Sequence, residues 1–187
     1  MSAINSVISF WFGERDSEIF GQFRQEWFKK SAEFDGEIRD KFSQLHQQAN
    51  SGELDDWQSQ PEGALALIII LDQFSRNMFR NSPEAFASDP QALTIAKKAI
   101  EASFHNKVHP VMRPFFFLPL EHSEKLEDQQ QCVSLFEQSV DKNGLTWAIK
   151  HLEIIQRFGR FPHRNSVLGR TSSPEEEEFL QQPGSSF

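Results

Sequence analysis

The sequence predicts an all-α fold in which antiparallel helix pairs stack around a buried central helix. Apolar residues recur at helical spacing along most of the 187 residues, and no stretch alternates apolar and polar residues as a half-buried strand would. Residues 64–71, ALALIIIL, are apolar around the whole circumference of a helix, which is typical of a central, buried one.

Residues that start and stop helices set the predicted boundaries in the first half of the chain. We expect Gly13 to end the first helix, Asp16 to cap a second and Asp35 to cap a third. Pro61 can begin the central helix at a position where its missing N–H costs nothing. A buried parallel strand is the competing interpretation of residues 64–71, and we reject it because no partner strand is apparent in the sequence.

The second half continues as helices separated by prolines and short polar turns. Ser123 is a plausible cap for a helix with Leu126, Phe136 and Val140 on its apolar face. Asn143 or Gly144 is expected to open the last long helix, which ends at Gly159, and the Ser173–Glu176 stretch is typical of a capping box. Helix pairs of roughly 34 residues are compatible with a tetratricopeptide-like superhelical array. We expect residues 1–170 to form a single all-helical domain and residues 171–187 an acidic C-terminal helix and tail.

The formal net charge of -8 argues against nucleic acid or an anionic membrane as a partner of the chain as a whole. Residues 145–170 are the exception. They carry five lysines and arginines against Glu153 alone, a local net charge of +4. A cationic site on an acidic protein favours a small anion or the carboxylate of a peptide or protein partner.

The single cysteine, Cys132, excludes an internal disulfide and a cysteine-based zinc site, and its apolar neighbours predict a core position. The longest apolar run is far below the roughly 20 residues that span a bilayer. The N-terminal segment lacks the basic region and cleavage site of a signal peptide. We therefore expect a cytoplasmic, soluble protein without a cofactor. Trp11, Phe12 and Phe20 are predicted either as core or as a dimer surface.

Two charged positions follow the apolar run on the same helix face. Asp72 and Arg76 are four residues apart, a spacing that suits an ion pair. Such a pair can fix helix packing, since charges on a buried face need partners. The alternative is that Arg76, with Arg80 one turn later, reaches into a binding pocket.

The histidines give weaker signals. His105 and His109 have the i, i+4 spacing of a metal site on a helix, but Pro110 and the polar residues between them favour a solvated helix end. His151 falls on the apolar arc of the last long helix, so we expect it to be buried or to line a pocket. We predict no metal site.

Four segments resemble a bacterial family known as domain of unknown function 924. They read FWFG at 10–13, LDQFSRNMFR at 71–80, FLPLEHSE at 117–124 and GRFPHRNSVLGR at 159–170, and SSPEEEEFL follows the last. The resemblance implies a tetratricopeptide-like all-helical fold and supplies no activity. One position departs from the family pattern, because Ser75 stands where the family commonly has proline.

The same segments hold the polar residues that packing alone does not explain, and we expect these residues to converge on one site. Three functions are compatible with such a site. It can bind an anionic small molecule or peptide group. It can belong to a hydrolase or transferase, with His122 or His163 as general acid/base and Arg160 and Arg164 stabilising an anion. It can also be a purely structural network. The predicted site residues are Asp72, Arg76, Arg80, Glu121, His122, Glu124, His151, Arg160, His163, Arg164 and Asn165.

Overall fold

The computed structural model describes residues 2–186 and confirms the all-α prediction, since this range contains helices and turns but no strand. The chain divides into two compact units: unit 1 comprises residues 1–80 and 84–119, and unit 2 comprises residues 81–83 and 120–187. The tetratricopeptide-like arrangement stays a prediction. None of the described helices is long and apolar enough to cross a membrane. The α-helices are α1 (Ala3–Phe12), α2 (Ala32–Asn50), α3 (Pro61–Ile68), α4 (Ser75–Met78), α5 (Glu84–Ala87), α6 (Asp89–Glu101), α7 (Leu118–Glu121), α8 (Leu126–Ser139), α9 (Lys142–Phe158) and α10 (Pro174–Leu180).

Short 3₁₀ turns connect several of these helices, at Gln25–Trp27, Asp55–Ser59, Phe104–Asn106, Pro110–Phe116 and Pro162–Arg164. The helix predicted after Asp16 is therefore wrong. Residues 14–30 form turns around the first of these 3₁₀ segments, because Gly13 and Gly21 both adopt positive φ angles that interrupt helix growth.

The predicted cap of α2 is also wrong. Ser31 occupies the N-cap and accepts a hydrogen bond from the backbone N–H of Phe34, whereas Asp35 lies inside the first turn and is buried. Gly13 does end α1 as predicted, with φ of 89°. The sequence alone did not distinguish the two polar residues, because both residue types are favourable caps.

The central helix begins at Pro61 as predicted and passes through a π-helical turn, Ile69–Phe74, before it continues as α4. Residues 63–75 are buried throughout. The π-helical turn tilts the carbonyl groups away from their α-helical positions. The Leu71 carbonyl accepts hydrogen bonds from the hydroxyls of Ser75 (2.7 Å) and Ser88 (2.6 Å). Two serines thus stabilise this interruption of the helix.

Aromatic rings fill the core of unit 1. Trp11 and Phe12 are fully buried, which confirms the core interpretation for both. The Trp11 ring packs edge-on against Phe74, 5.5 Å between centroids, and Phe12 against Phe115 at 5.2 Å. Edge-to-face pairs add favourable quadrupole contacts to apolar burial.

Unit 2 contains a helical hairpin of α8 and α9. Asp141 caps α9 by accepting a hydrogen bond from the N–H of Gly144, so the helix begins before either predicted start. A Cβ at Gly144 would overlap the Phe136 ring, so the close contact between this part of α9 and α8 depends on glycine. The capping box at Ser173 is present as predicted, and Cys132 is fully buried as predicted.

Two expectations for α8 are wrong. Ser123 does not cap the helix; its hydroxyl donates instead to the carboxylate of Asp128, at 2.6 Å. Leu126 and Val140, predicted on the apolar face, are 41% and 78% exposed because each lies at an end of the helix, beyond the packed middle.

Candidate functional site

Arg76 in unit 1 is held by two carboxylates. Its Nη1 lies 3.2 Å from Oδ1 of Asp72, so the predicted ion pair is present, and the same nitrogen donates to the Asp72 carbonyl. Asp89, at the start of α6, accepts from both terminal nitrogens at 2.8 and 3.0 Å. This two-pronged geometry is the strong form of an arginine–carboxylate pair. It ties the end of the central helix to α6.

Arg80 makes an equivalent pair with Asp35. Its Nε and Nη2 donate to the two carboxylate oxygens at 2.7 and 2.8 Å, and the Asn77 amide donates to the same carboxylate. Burial works against the charged form of Asp35, but the hydrogen bonds from Arg80 and Asn77 hold its pKa below the usual value. Both predicted arginines of unit 1 are therefore engaged in ion pairs inside that unit, which favours the packing interpretation for them.

In unit 2, Glu124 accepts hydrogen bonds from both sides of the GRFPHRNSVLGR turn. Arg170 donates to its two oxygens at 2.7 and 3.0 Å, and the backbone N–H of Phe161 donates at 2.8 Å. Burial opposes ionisation, but these donors lower the pKa of Glu124. The carboxylate thus closes the turn between residues 161 and 170 and fixes it to the loop before α8.

A second fork holds the other end of the turn. Arg160 donates to both oxygens of Glu176 at 2.6 and 2.7 Å and to the Thr171 carbonyl at 3.0 Å. Glu176 also accepts from the backbone N–H of Ser173, as the capping box requires. The hydrogen bond from Arg160 is the main reason that the pKa of Glu176 falls to about 2. Arg160 therefore anchors α10 to the turn.

Asn165 is fully buried inside this turn. Its Nδ2 donates to the Ser172 hydroxyl at 3.1 Å, and its Oδ1 has no hydrogen-bond partner among the described residues. The structure thus assigns three of the predicted ligand residues, Glu124, Arg160 and Asn165, to the internal architecture of the turn.

The remaining predicted residues of unit 2 surround His151. This histidine lies on α9 and is 5% exposed. Its Nδ1 lies 2.9 Å from the Trp147 carbonyl, which can only accept, so Nδ1 carries the ring proton. Oε1 of Glu121, at the end of α7, lies 3.5 Å from the same nitrogen.

Three basic side chains lie around this histidine. The His122 and His151 rings are 6.5 Å apart between centroids, and Phe161 packs edge-on against His151 at 5.6 Å. Phe161 in turn contacts His163, at 5.6 Å, and the Arg164 guanidinium, 4.5 Å above its ring. We call His122, His151, His163 and Arg164, with Phe161 at their centre, the histidine–arginine cluster.

Burial and the neighbouring basic groups both lower the pKa of His151 in this cluster. Burial lowers the pKa of His151, and the nearby His122, Arg164 and His163 lower it further, to about 3. His151 is therefore neutral at physiological pH although a carboxylate oxygen lies close to it. Burial of the ring is the main cause of this low pKa.

The remaining chemistry of unit 2 is limited. Burial, together with the nearby charge of Glu121, raises the pKa of Cys132 well above its usual value, so its thiol stays protonated and weakly nucleophilic. Within residues 2–186, no group of three or more histidine, cysteine, aspartate or glutamate side chains could hold a metal ion.

The predicted site residues therefore form separate groups. Asp72, Arg76 and Arg80 belong to unit 1, whereas the others belong to unit 2. That the two groups converge on one site stays a prediction. Sequence reasoning missed Phe161 and Arg170 as parts of the site. Arg170 was visible as the last residue of the cationic motif, but nothing in the sequence marks Phe161 as the residue around which the cluster packs.

Comparisons with known proteins place these features in a family context. A family model described as "Bacterial protein of unknown function (DUF924)" matches residues 7–184. The solved structure of a protein of unknown function from Agrobacterium tumefaciens is similar to this chain, with 37% sequence identity and a TM-score of 0.86. The similarity covers 95% of this chain and 96% of that one. None of the curated proteins compared with this chain matches it.

Proposed function

Since the chain belongs to this bacterial family of unknown function (DUF924), whose description assigns no activity, we propose a function from the geometry of unit 2. We propose that unit 2 binds an anionic group at the histidine–arginine cluster. The group is the phosphate or carboxylate of a small molecule, or a carboxylate of an acidic peptide.

The observation that carries this proposal is the arrangement of His122, His163 and Arg164 around a neutral His151. An anion placed among them gains from all three at once, and partial burial strengthens that attraction relative to open water. Arginine and histidine N–H groups are also the donors that match carboxylate and phosphate oxygens.

The ion pairs of the turn support the same location. Arg160 already donates two hydrogen bonds to Glu176, and Arg170 donates two to Glu124. An incoming anion would have to displace a hydrogen-bonded carboxylate to reach them. We therefore leave Arg160 and Arg170 out of the proposed anion site, which is narrower than the set of residues that the sequence predicted.

Catalysis by the same residues has less support. His151, with a pKa of about 3, is a poor base at neutral pH, and the protonated Cys132 is a poor nucleophile. A hydrolase or transferase with His122 or His163 as general acid/base would use the same anion-binding residues, so the binding experiment comes first.

Imidazole NMR tests the proposal residue by residue, because the Cε1–H signals of the six histidines can be followed separately. Inorganic phosphate, citrate and a short polyglutamate peptide are titrated to about 10 mM, a range that detects millimolar affinity, with sodium chloride added to hold ionic strength constant. We expect saturable shifts of the His122 and His163 signals. His109 of unit 1, which is exposed, serves as the internal reference and should not shift.

The variants His122→Gln and His163→Gln should each weaken binding about fivefold or more, as expected for the loss of roughly 1 kcal/mol or more per hydrogen bond to a charged group. The matched control His109→Gln should leave the affinity unchanged. If the His122 and His163 signals do not move during the titrations, or if the His109 signal moves by the same amount, unit 2 has no such site.

A further inference from the structure

Unit 1 contains a cavity of about 420 Å³ that lies far along the sequence from the cluster residues. The C-terminal part of α2 contributes His46, Asn50 and Ser51, and the segment from α4 to the start of α6 contributes Phe79, Glu84 and Ser88. Small-molecule sites in proteins typically occupy roughly 300–1,000 Å³. The cavity is therefore large enough for a ligand of a few to a dozen heavy atoms.

A buried polar cluster lies behind one wall of this cavity, to which His46 and Ser88 contribute. His46 Nε2 lies 2.7 Å from the Ser75 hydroxyl, and the Ser75 and Ser88 hydroxyls are 2.8 Å apart. Both hydroxyls also reach the Leu71 carbonyl at the π-helical turn. Ser75 and Ser88 are at most 2% exposed and His46 is 7% exposed. The imidazole ring is thus held rigidly while its edge contributes to the cavity surface.

The polarity of the wall limits the kind of ligand. The described residues that line the cavity include no lysine or arginine and one carboxylate, that of Glu84, so the lining does not attract an anion. Burial lowers the pKa of His46, which keeps it neutral at physiological pH. The Asn50 side chain makes no hydrogen bond to another described residue and is exposed. The amide, hydroxyl and imidazole groups of the lining offer both donors and acceptors, and the Glu84 carboxylate adds acceptors for hydroxyl groups.

Phe79 supplies the apolar part of the site. Its ring lies 5.3 Å from the His46 ring, tilted by 59°, and it is partly exposed. A flat apolar surface next to several hydrogen-bonding groups matches the two kinds of surface on a sugar ring, its C–H face and its hydroxyl edge. We propose that this cavity of unit 1 binds a neutral polyhydroxylated small molecule of monosaccharide size.

The His46 Cε1–H signal gives the direct test on the full chain. D-glucose, D-galactose, D-ribose and myo-inositol are titrated to about 50 mM, which covers the millimolar range expected for a small neutral ligand. At least one of them should shift the His46 signal saturably, while the His122 and His163 signals remain unchanged. Butylamine and sodium acetate are titrated in parallel as cationic and anionic probes.

Two exposed side chains of α2 make a matched pair of variants. Asn50→Ala removes a cavity amide and should weaken sugar binding about fivefold, as expected for one lost hydrogen bond. Gln44→Ala removes an amide that lies outside the cavity lining and should change nothing. The proposal is wrong if no sugar or polyol shifts His46, if Asn50→Ala binds as well as Gln44→Ala, or if only butylamine or acetate shifts the signal.

Discussion

Replacing Glu124 by alanine removes the carboxylate that joins the loop before α8 to the turn at residues 161–170. The change leaves two N–H donors of Arg170 and the backbone N–H of Phe161 without the carboxylate that accepts from them. Removing one partner of a buried pair costs about 3–5 kcal/mol. The side chains of Glu124 and Arg170 are 29% and 23% exposed, so water partly solvates what is left. We therefore expect Glu124→Ala to lower the free energy of unfolding by about 2–3 kcal/mol.

Thermal unfolding followed by circular dichroism at neutral pH measures this loss. For a chain of this size, each kcal/mol shifts the melting temperature by about 2–4 °C, so the expected decrease is about 4–12 °C. Glu153→Ala is the control, because Glu153 is an exposed glutamate of α9 that makes no ion pair with another described residue of the turn. Its effect should stay within about 0.5 kcal/mol.

A double-mutant cycle separates the ion pair from other effects. Arg170→Ala and Glu124→Ala together should cost less than the sum of the single changes, because the second removal strands nothing new, and couplings of about 0.5–3 kcal/mol are usual for contacting residues. Additive effects, or a Glu124→Ala melting temperature equal to that of Glu153→Ala, would refute the role assigned to Glu124.

Two further predictions concern stability. The pKa of Glu176 falls from its usual 4.5 to about 2 in the folded protein. Its contribution to the free energy of unfolding is therefore fully present above pH 4.5 and is lost as the pH falls towards 2. In urea unfolding between pH 7 and pH 2, Glu176→Gln should lose less of its free energy of unfolding than the wild type does. Gly63→Ala should destabilise by about 1–3 kcal/mol because its Cβ would overlap the Trp57 carbonyl. Gly36→Ala, in α2 with nothing within 4 Å of the added Cβ, should instead stabilise by about 0.5–1 kcal/mol, and equal effects at the two glycines would contradict this.

Helical periodicity was enough to predict the fold class and the buried central helix, because both depend on short-range patterns that a single sequence displays. The wrong expectations involve residues whose partners are distant in sequence. Aspartate is a favourable N-cap residue, but the carboxylate of Asp35 pairs with Arg80, 45 residues later, and does not cap the helix. A favourable capping residue and a buried acceptor are the same residue type, and only the three-dimensional neighbours separate them.

The candidate site shows the same limit. The motif at 159–170 indicated correctly that charged residues concentrate there, since excess charge beside apolar residues is visible in sequence. Which arginines are paired was not visible. Arg160 and Arg170 have carboxylate partners on α10 and in the loop before α8, and the Arg164 guanidinium lies over the Phe161 ring. Sequence spacing within the motif treats all three alike.

The ion pairs of the turn explain how Arg160, His163 and Arg164 can lie close together in a short segment. Gly159 ends α9 with φ of 68°, and these three basic residues follow it within five positions. Mutual repulsion would favour an extended turn. The Arg160–Glu176 and Glu124–Arg170 forks close it at both ends with carboxylates whose pKa values are lowered, so that both stay charged at physiological pH. These two acidic groups therefore stabilise the turn at its two ends, and a third carboxylate, that of Glu121, lies 3.5 Å from Nδ1 of His151.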